Sequence, residues 1–248
     1  MDKQQIFLLG GYDLEMMEIK KIAESIPGVL LFDKHLSWDT ADLDKYKDVL
    51  QQYENCENVV VYGIELHENQ DVRLPLNYYR IDHHNQYSAN LSALEQVAAV
   101  LKIELTREQQ LIAANDRGYI PEMQQQGATA DEIRQIRLRD RQAQGVTEED
   151  EQLALQAIEN KTTEQDIIVI KSETNRFSPI CDNLYPYHKL LIYTDDVLMY
   201  YGERKERLTK YFASDINARK MFHGGGVDGY FGTVRAAYPF LVFRIAAP

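Results

Sequence analysis

Four short apolar runs fix what the first half of this chain can become: residues 5–10 (QIFLLG), 29–32 (VLLF), 59–64 (VVVYGI) and 78–81 (YYRI). Each has the length of a strand, and the third is rich in β-branched residues. Between the first two, Met16, Ile19, Ile22, Ala23 and Ile26 recur at helical spacing. Two helices are signalled after the fourth. Ser92 with Glu95, and Thr106 with Gln109, make capping boxes. Leu94, Val97, Ala98 and Leu101 line one face of the first helix; Leu111, Ile112 and Ala114 belong to the second. This β-α-β-β-α order predicts an α/β fold, a mostly parallel sheet flanked by helices. Ligands bind such sheets beyond the carboxyl ends of the strands.

Residues 127–161 read differently. They are highly charged and helical, with capping boxes at Thr129/Glu132 and Thr147/Asp150 and a break at Gly145. The pattern predicts a helical connector whose charges form a solvated face. Strand-like runs then return at 166–171, 190–194, 197–201 and 240–245. Asp195-Asp196 sits between two of them as a hairpin turn, and a helix is expected around 204–213. The expected organisation is an α/β domain over 1–125, a helical connector over 126–163 and a smaller α+β domain over 164–248.

Composition narrows the partners. Across 248 residues, 27 Lys and Arg face 39 Asp and Glu, a net charge of −12. Such a surface does not attract long duplex nucleic acid by charge. It fits a small phosphorylated ligand neutralised locally, or a short oligonucleotide where basic residues cluster. Cys56 and Cys181 have neither metal-ligand nor disulfide-framework spacing and read as reduced structural thiols. The polar start (MDKQQ) is unlike a signal peptide, and no apolar stretch approaches about 18 residues, so no membrane span and a cytoplasmic location are expected.

Acids and histidines gather just past the strands. Asp13 and Glu15 follow the first, Glu65 and His67 the third, and Asp82-His83-His84 the fourth; Asp116 follows a helix ending near Asn115. Carboxylates crowded at one sheet edge repel one another unless a counter-charge joins them. A divalent cation supplies it, and mixed carboxylate and imidazole ligands suit Mn²⁺, Fe²⁺ or Co²⁺, with Mg²⁺ as an alternative. His67 lies beyond its strand end and reads as a surface histidine.

The run Ile81-Asp82-His83-His84-Asn85 resembles the signature of the DHH phosphoesterase family. That family includes single-strand exonucleases, nano-RNA and cyclic-dinucleotide phosphodiesterases, exopolyphosphatases and family-II pyrophosphatases. Here the run ends a strand and precedes the helix SALEQVAAVL, with LIAAND following at about the family's distance. Asp13-Leu14-Glu15 and Glu65 stand where the family carries Asp-x-Asp and a middle-strand Asp. The resemblance covers residues 5–120, and the C-terminal part loosely. It implies an inner metal held by Glu15, Glu65, His83 and Asp116, with Glu65 bridging to a second metal shared with Asp13. Two such metals, about 3.5–4 Å apart, clamp a phosphoryl group and generate a hydroxide nucleophile. His84 would contact the phosphate or act as acid, and Asp82 would orient a ligand histidine.

The departures matter. Leu9 replaces a histidine that many members carry, and Glu15 and Glu65 are each a methylene longer than aspartate. One complete metal site is therefore expected, and a depleted second one. The family's Gly-Gly-Gly-His becomes His223-Gly224-Gly225-Gly226-Val227 here. Such a run can converge backbone N–H groups on an anion, or be a plain turn. Asn85, Arg117 and Arg176 are further candidate phosphate contacts. The function expected is a metal-dependent phosphoesterase, with Mn²⁺ (or Mg²⁺ or Co²⁺), acting between the domains. Its substrate would be a phosphodiester or phosphoanhydride of a small nucleotide or short oligonucleotide. The alternative is a protein of the same fold that binds such a ligand without turnover.

Overall fold

The first four apolar runs form strands where the sequence places them. The computed structural model describes residues 3–69, 71–218, 220–224 and 229–233. Strand β1 (Gln4–Leu8) is followed by α1 (Leu14–Ser25), β2 (Val29–Phe32), α2 (Lys47–Tyr53), β3 (Val59–Ile64) and β4 (Tyr78–Ile81). The four strands form one parallel sheet in the order β2-β1-β3-β4. Its register pairs Ile6 with Leu30 and Val61, and Ile64 with Ile81.

Side chains alternate across this sheet. Ile6, Leu8, Val59 and Val61 join Leu43, Tyr46, Val49 and Leu50 in one buried cluster. On the other face Phe7 meets Tyr62 edge-on, and Tyr62 stacks on Tyr79. From β1 the chain turns to β2 on one side, and β3 then pairs on the other. The β1/β3 carboxyl ends are thus the topological switch point, where sheets of this kind open a crevice. Gly10 lies at the end of β1, and a Cβ there would be driven into the backbone carbonyls of Ile64 and Glu65.

The chain continues through α3 (Ala93–Leu101), α4 (Arg107–Gln125) and α5 (Ala130–Ala143), all packed on α1 or on each other. Each has the capping box read from its sequence. The expected helix end near Asn115 is instead a break further on. Gly118 and Tyr119 leave helical geometry, and the helix resumes to Gln125.

The chain divides into two compact units, Met1–Gly145 and Val146–Pro248. The boundary falls inside the stretch read as a connector, at Gly145 with φ +83°. Helix α5 packs on α1 and α4 in the first unit, and α6 (Glu148–Glu159) packs within the second. The charges of α5 do not form a purely solvated face: Arg137, Asp140 and Arg141 are buried.

The second unit holds a mixed sheet of β5 (Thr162–Glu164), β6 (Ile167–Lys171), β7 (Lys189–Tyr193), β8 (Leu198–Gly202), β9 (Met221–Gly224) and β10 (Tyr230–Thr233). Its order is β5-β6-β7-β8-β10-β9, and β6/β7 pair in parallel. The expected hairpin turn closes with Thr194 N–H donating to Val197 O at 2.8 Å. Helices α6 and α7 (Ser178–Leu184) pack on one face through Ala157 and Ile180. Helix α8 (Lys205–Tyr211) brings Leu208 to the other, with α9 (Ala213–Asn217) following it. The strand expected at 240–245, and Gly225 and Gly226 of the glycine run, lie outside the described residues. Among the described residues, no helix is long and apolar enough to cross a membrane.

Candidate metal centre

Four segments bring acids and histidines to the carboxyl edge of the parallel sheet. Asp13 caps α1, its Oδ1 accepting from Met16 N–H at 2.8 Å. Just inside the helix, Glu15 is buried, and its Oε1 accepts from Leu94 N–H at 3.0 Å in the first turn of α3. Glu65 follows β3 with φ +50°, its N–H donating to Ile81 O at 2.8 Å. A left-handed backbone is uncommon for a side-chain-bearing residue and marks a local constraint. Asp82, His83 and His84 follow β4, and Asp116 shortly precedes the break in α4.

These groups meet around one imidazole nitrogen. His83 Nε2 lies 2.5 Å from Asp116 Oδ2, 3.0 Å from Glu65 Oε1 and 3.8 Å from Glu15 Oε2. His84 Nδ1 is 3.7 Å from Glu65 Oε1. Ligand atoms of Glu65, His83, His84 and Asp116 all fall within 4.8 Å of one another. Around a cation with bonds of about 2.1 Å, neighbouring ligand atoms stand about 3 Å apart and opposite ones about 4.2 Å. The observed spacings have that scale.

Hydrogen bonding points the same way. Glu15 Oε2, both Glu65 carboxylate oxygens, His83 Nε2 and Asp116 Oδ2 are buried without a hydrogen-bond partner. Close approach without hydrogen-bond geometry leaves these atoms aimed at shared space rather than at each other. A buried unmatched polar atom costs about 1–3 kcal/mol, so five together call for a ligand. Carboxylates plus one or two imidazoles form the donor set of a divalent cation.

Protonation follows from the crowding. Burial first, then the Asp116 and Glu65 charges, pushes the Glu15 carboxyl well above the usual carboxylate range. Burial, Asp116, Asp13 and Asp82 do the same to Glu65. Asp13 is pushed up to about 8 by burial and Asp116, against the Met16 N–H. Asp82 moves the other way. Burial opposes its ionisation, but hydrogen bonds from the His84 side chain and backbone outweigh it and hold the carboxyl low.

Asp82 Oδ1 accepts from His84 N–H at 2.8 Å and lies 3.4 Å from His84 Nδ1, so it orients this histidine rather than His83. Asp13 and Glu15 are not among the four ligand atoms within 4.8 Å, although Glu15 approaches His83. Leu9 is buried, its carbonyl accepting from the Tyr46 hydroxyl at 2.6 Å. His67 is exposed, and its backbone pairs with Ala41 and Leu43. Arg117 is engaged by Glu95 at 2.9 Å and Glu122 at 2.5 Å. The Asn85 side chain lies outside the described residues, and its backbone begins a short 3-10 turn. In the second unit Arg176 is exposed in the loop before α7, and His223 is exposed on β9. Gly224 O accepts from the Lys205 ammonium at 2.9 Å.

Two contributors escaped the sequence reading. Trp38 presents its ring to His84, with centroids 5.1 Å apart. Arg137 of α5 braces the segment that carries Asp116. Its Nη1 donates to Asn115 Oδ1 at 2.9 Å and Asp140 Oδ2 at 2.6 Å, and its guanidinium covers the Tyr119 ring at 4.6 Å. Tyr119 has φ +59° and ψ −149°, a region almost reserved for glycine, so its neighbours must hold it there. Arg137→Met is expected to weaken Mn²⁺ affinity about 10- to 100-fold, as loss of a ligand's support does. Arg137→Lys should not restore it, because a point charge lacks the planar face. Isothermal titration of the folded variants with Mn²⁺ checks both; unchanged affinity would remove this role.

No protein-family model and no curated protein matches the sequence. Among solved structures, a DHH domain described as a member of a family of ribosomal proteins superposes with a TM-score of 0.51. The two are 10% identical, and the match covers 98% of this chain and 85% of that one. An uncharacterized protein from Helicobacter pylori G27, also 10% identical over 94% of each chain, superposes at 0.31, too low to carry an argument. At such identity the likeness speaks for the fold alone: this chain has a DHH-like α/β fold, a parallel four-stranded sheet flanked by helices, with a mixed sheet following it.

Proposed function

We propose that the protein is a metal-dependent phosphoesterase that hydrolyses a phosphodiester or phosphoanhydride of a small nucleotide or short oligonucleotide. The observation that carries this is the set of buried, unpartnered atoms of Glu15, Glu65, His83 and Asp116, converging at the switch point of the sheet. A divalent cation at this site would polarise a phosphoryl oxygen and acidify water. Mn²⁺ suits the mixed donors, and Mg²⁺ or Co²⁺ are the alternatives.

The residues divide the remaining work. Glu15, Glu65, His83 and Asp116 would hold the cation, and Glu65 offers two carboxylate oxygens with no hydrogen-bond partner for that task. His84 stands at the rim with its side chain 39% exposed, within reach of substrate. Asp82 fixes the His84 backbone and keeps a negative charge beside its ring. That arrangement lets His84 donate a hydrogen bond to a phosphate oxygen, or a proton to the departing oxygen.

The test is hydrolysis of an aryl phosphodiester by the purified protein, with Mn²⁺ and after chelation. The expected result is a rate that appears with Mn²⁺ and disappears with the chelator. A rate indifferent to metal removes the reading. The second reading, ligand binding without turnover, is favoured by Leu9 and by the engagement of Asp13 as a helix cap, which deplete the outer site. Tight, metal-dependent nucleotide binding with no hydrolysis would select it.

A further inference from the structure

Trp38 is the protein's single tryptophan, and 44% of it is exposed. One exposed aromatic is ordinary on a protein surface. This one differs in its placement. Its ring stands 68° to that of His84, which in turn lies 4.3 Å from the His83 ring. One imidazole, that of His84, therefore separates the indole from His83.

The ring is also held in place. Gly11 makes room for it, because a Cβ there would lie 2.7 Å from the indole. Gly11 bridges to Leu36, and Tyr12 N–H donates to Leu36 O at 3.0 Å, tying the Trp38 loop to the end of β1. The short turn Trp38–Thr40 is closed by Ser37, whose N–H donates to Thr40 Oγ1 at 3.1 Å. An exposed aromatic surface fixed in advance loses little conformational freedom when a flat ligand covers it.

We propose that Trp38 is the stacking platform for a nucleobase whose own phosphate lies at the metal cluster. The assignment rests on the phosphoesterase or phosphate-binding reading of that cluster. It goes further by favouring nucleoside phosphates over inorganic polyphosphates, which have no flat face to place on an indole. A sugar is the spacer between base and phosphate, and the His84 ring is the spacer between the platform and His83. Base–aromatic stacking tolerates any base, so the subsite selects for a base without reading its identity.

The single tryptophan makes the subsite its own reporter. The full chain in saturating Mn²⁺, after a baseline with the metal alone, is titrated with adenosine 5′-monophosphate and with ribose 5-phosphate. Calorimetry gives affinity and intrinsic fluorescence gives location. The nucleotide should bind more tightly and quench the tryptophan saturably, whereas ribose 5-phosphate should bind without quenching. Trp38→Ala should weaken nucleotide binding about 5- to 100-fold, the range a base–aromatic stack supplies, and leave ribose 5-phosphate unchanged. Trp38→Phe should keep most of the preference. Equal binding of the two ligands, or a preference that survives Trp38→Ala, overturns the subsite while leaving the phosphate site standing. If neither ligand binds the Mn²⁺-loaded protein, the reading of the cluster fails and the subsite falls with it.

Discussion

His83→Ala is expected to lower kcat/KM for Mn²⁺-dependent phosphodiester hydrolysis by about 10³-fold or more, leaving the fold intact. His83 Nε2 is the nitrogen around which Glu15, Glu65 and Asp116 gather, so its loss leaves the half-exposed His84 as the cluster's one imidazole. Residues that merely orient a ligand cost about 10- to 100-fold when changed, and a ligand itself costs more. Asp82→Asn supplies the comparison. It touches His84 and not His83, so its effect should stay within that smaller range. Circular dichroism checks the fold, and initial rates across Mn²⁺ concentrations check the effect. A His83→Ala rate within about threefold of the parent protein would exclude His83 from the chemistry.

Glu65→Gln should do the opposite to stability of what it does to binding. Without metal, Glu65 is buried with both oxygens unpartnered, and burial and its acidic neighbours raise its pKa. A carboxyl with a higher pKa in the folded chain takes up a proton on folding. Such groups therefore contribute most to the stability of the metal-free protein below the unfolded carboxylate range, and that contribution is lost as pH rises through the folded values. For Asp13 that window runs from 3.8 to about 8. Glutamine has the same shape and does not titrate. The metal-free variant should melt about 5 °C higher than the parent at pH 8, with the gain shrinking towards pH 5. That follows from relieving about 1–3 kcal/mol at one unmatched group, at about 2–4 °C per kcal/mol. With Mn²⁺ at 100 times its Kd the order should reverse, because the parent gains about 2.7 kcal/mol and the variant does not. Thermal melts at pH 5 and pH 8, with and without Mn²⁺, decide it. A variant that melts below the metal-free parent at pH 8 would mean that the Glu65 charge is satisfied within the protein.

The sequence carried the parallel sheet and most of the cluster because both are written locally. Strand-length apolar runs give β1 to β4, and capping boxes at Ser92, Thr106, Thr129 and Thr147 appear where side-chain chemistry dictates. Asp13, Glu15, Glu65 and His83 could be placed because each closely follows a strand. What escaped was set by tertiary contact. Arg137 sits in a stretch so rich in charge that burial has no local signature, yet α5 packs on α1 and α4 and buries it. The helical break after Asp116 was not foreseen: Gly118 and Pro121 mark a weak point, and Tyr119 packs under Arg137 there, a contact with no local signature. Trp38 had a faint signal, a lone indole in a polar run after the second strand. Its meaning depends on His84, distant in sequence. Short pieces such as α2, β5, β9 and β10 lack strong periodicity and form because a neighbour is already there.

Gly10 has a consequence for how this architecture can drift. With a bare Cα at that position, the end of β1 lies flush against the Ile64 and Glu65 carbonyls, and even a methyl would wedge them apart. The gap between two backbones, rather than any charge, thereby sets where the Glu65 carboxylate can stand. Saturation mutagenesis should find codon 10 closed to every replacement. The tightest tolerance in the neighbourhood thus belongs to a residue with no functional group at all.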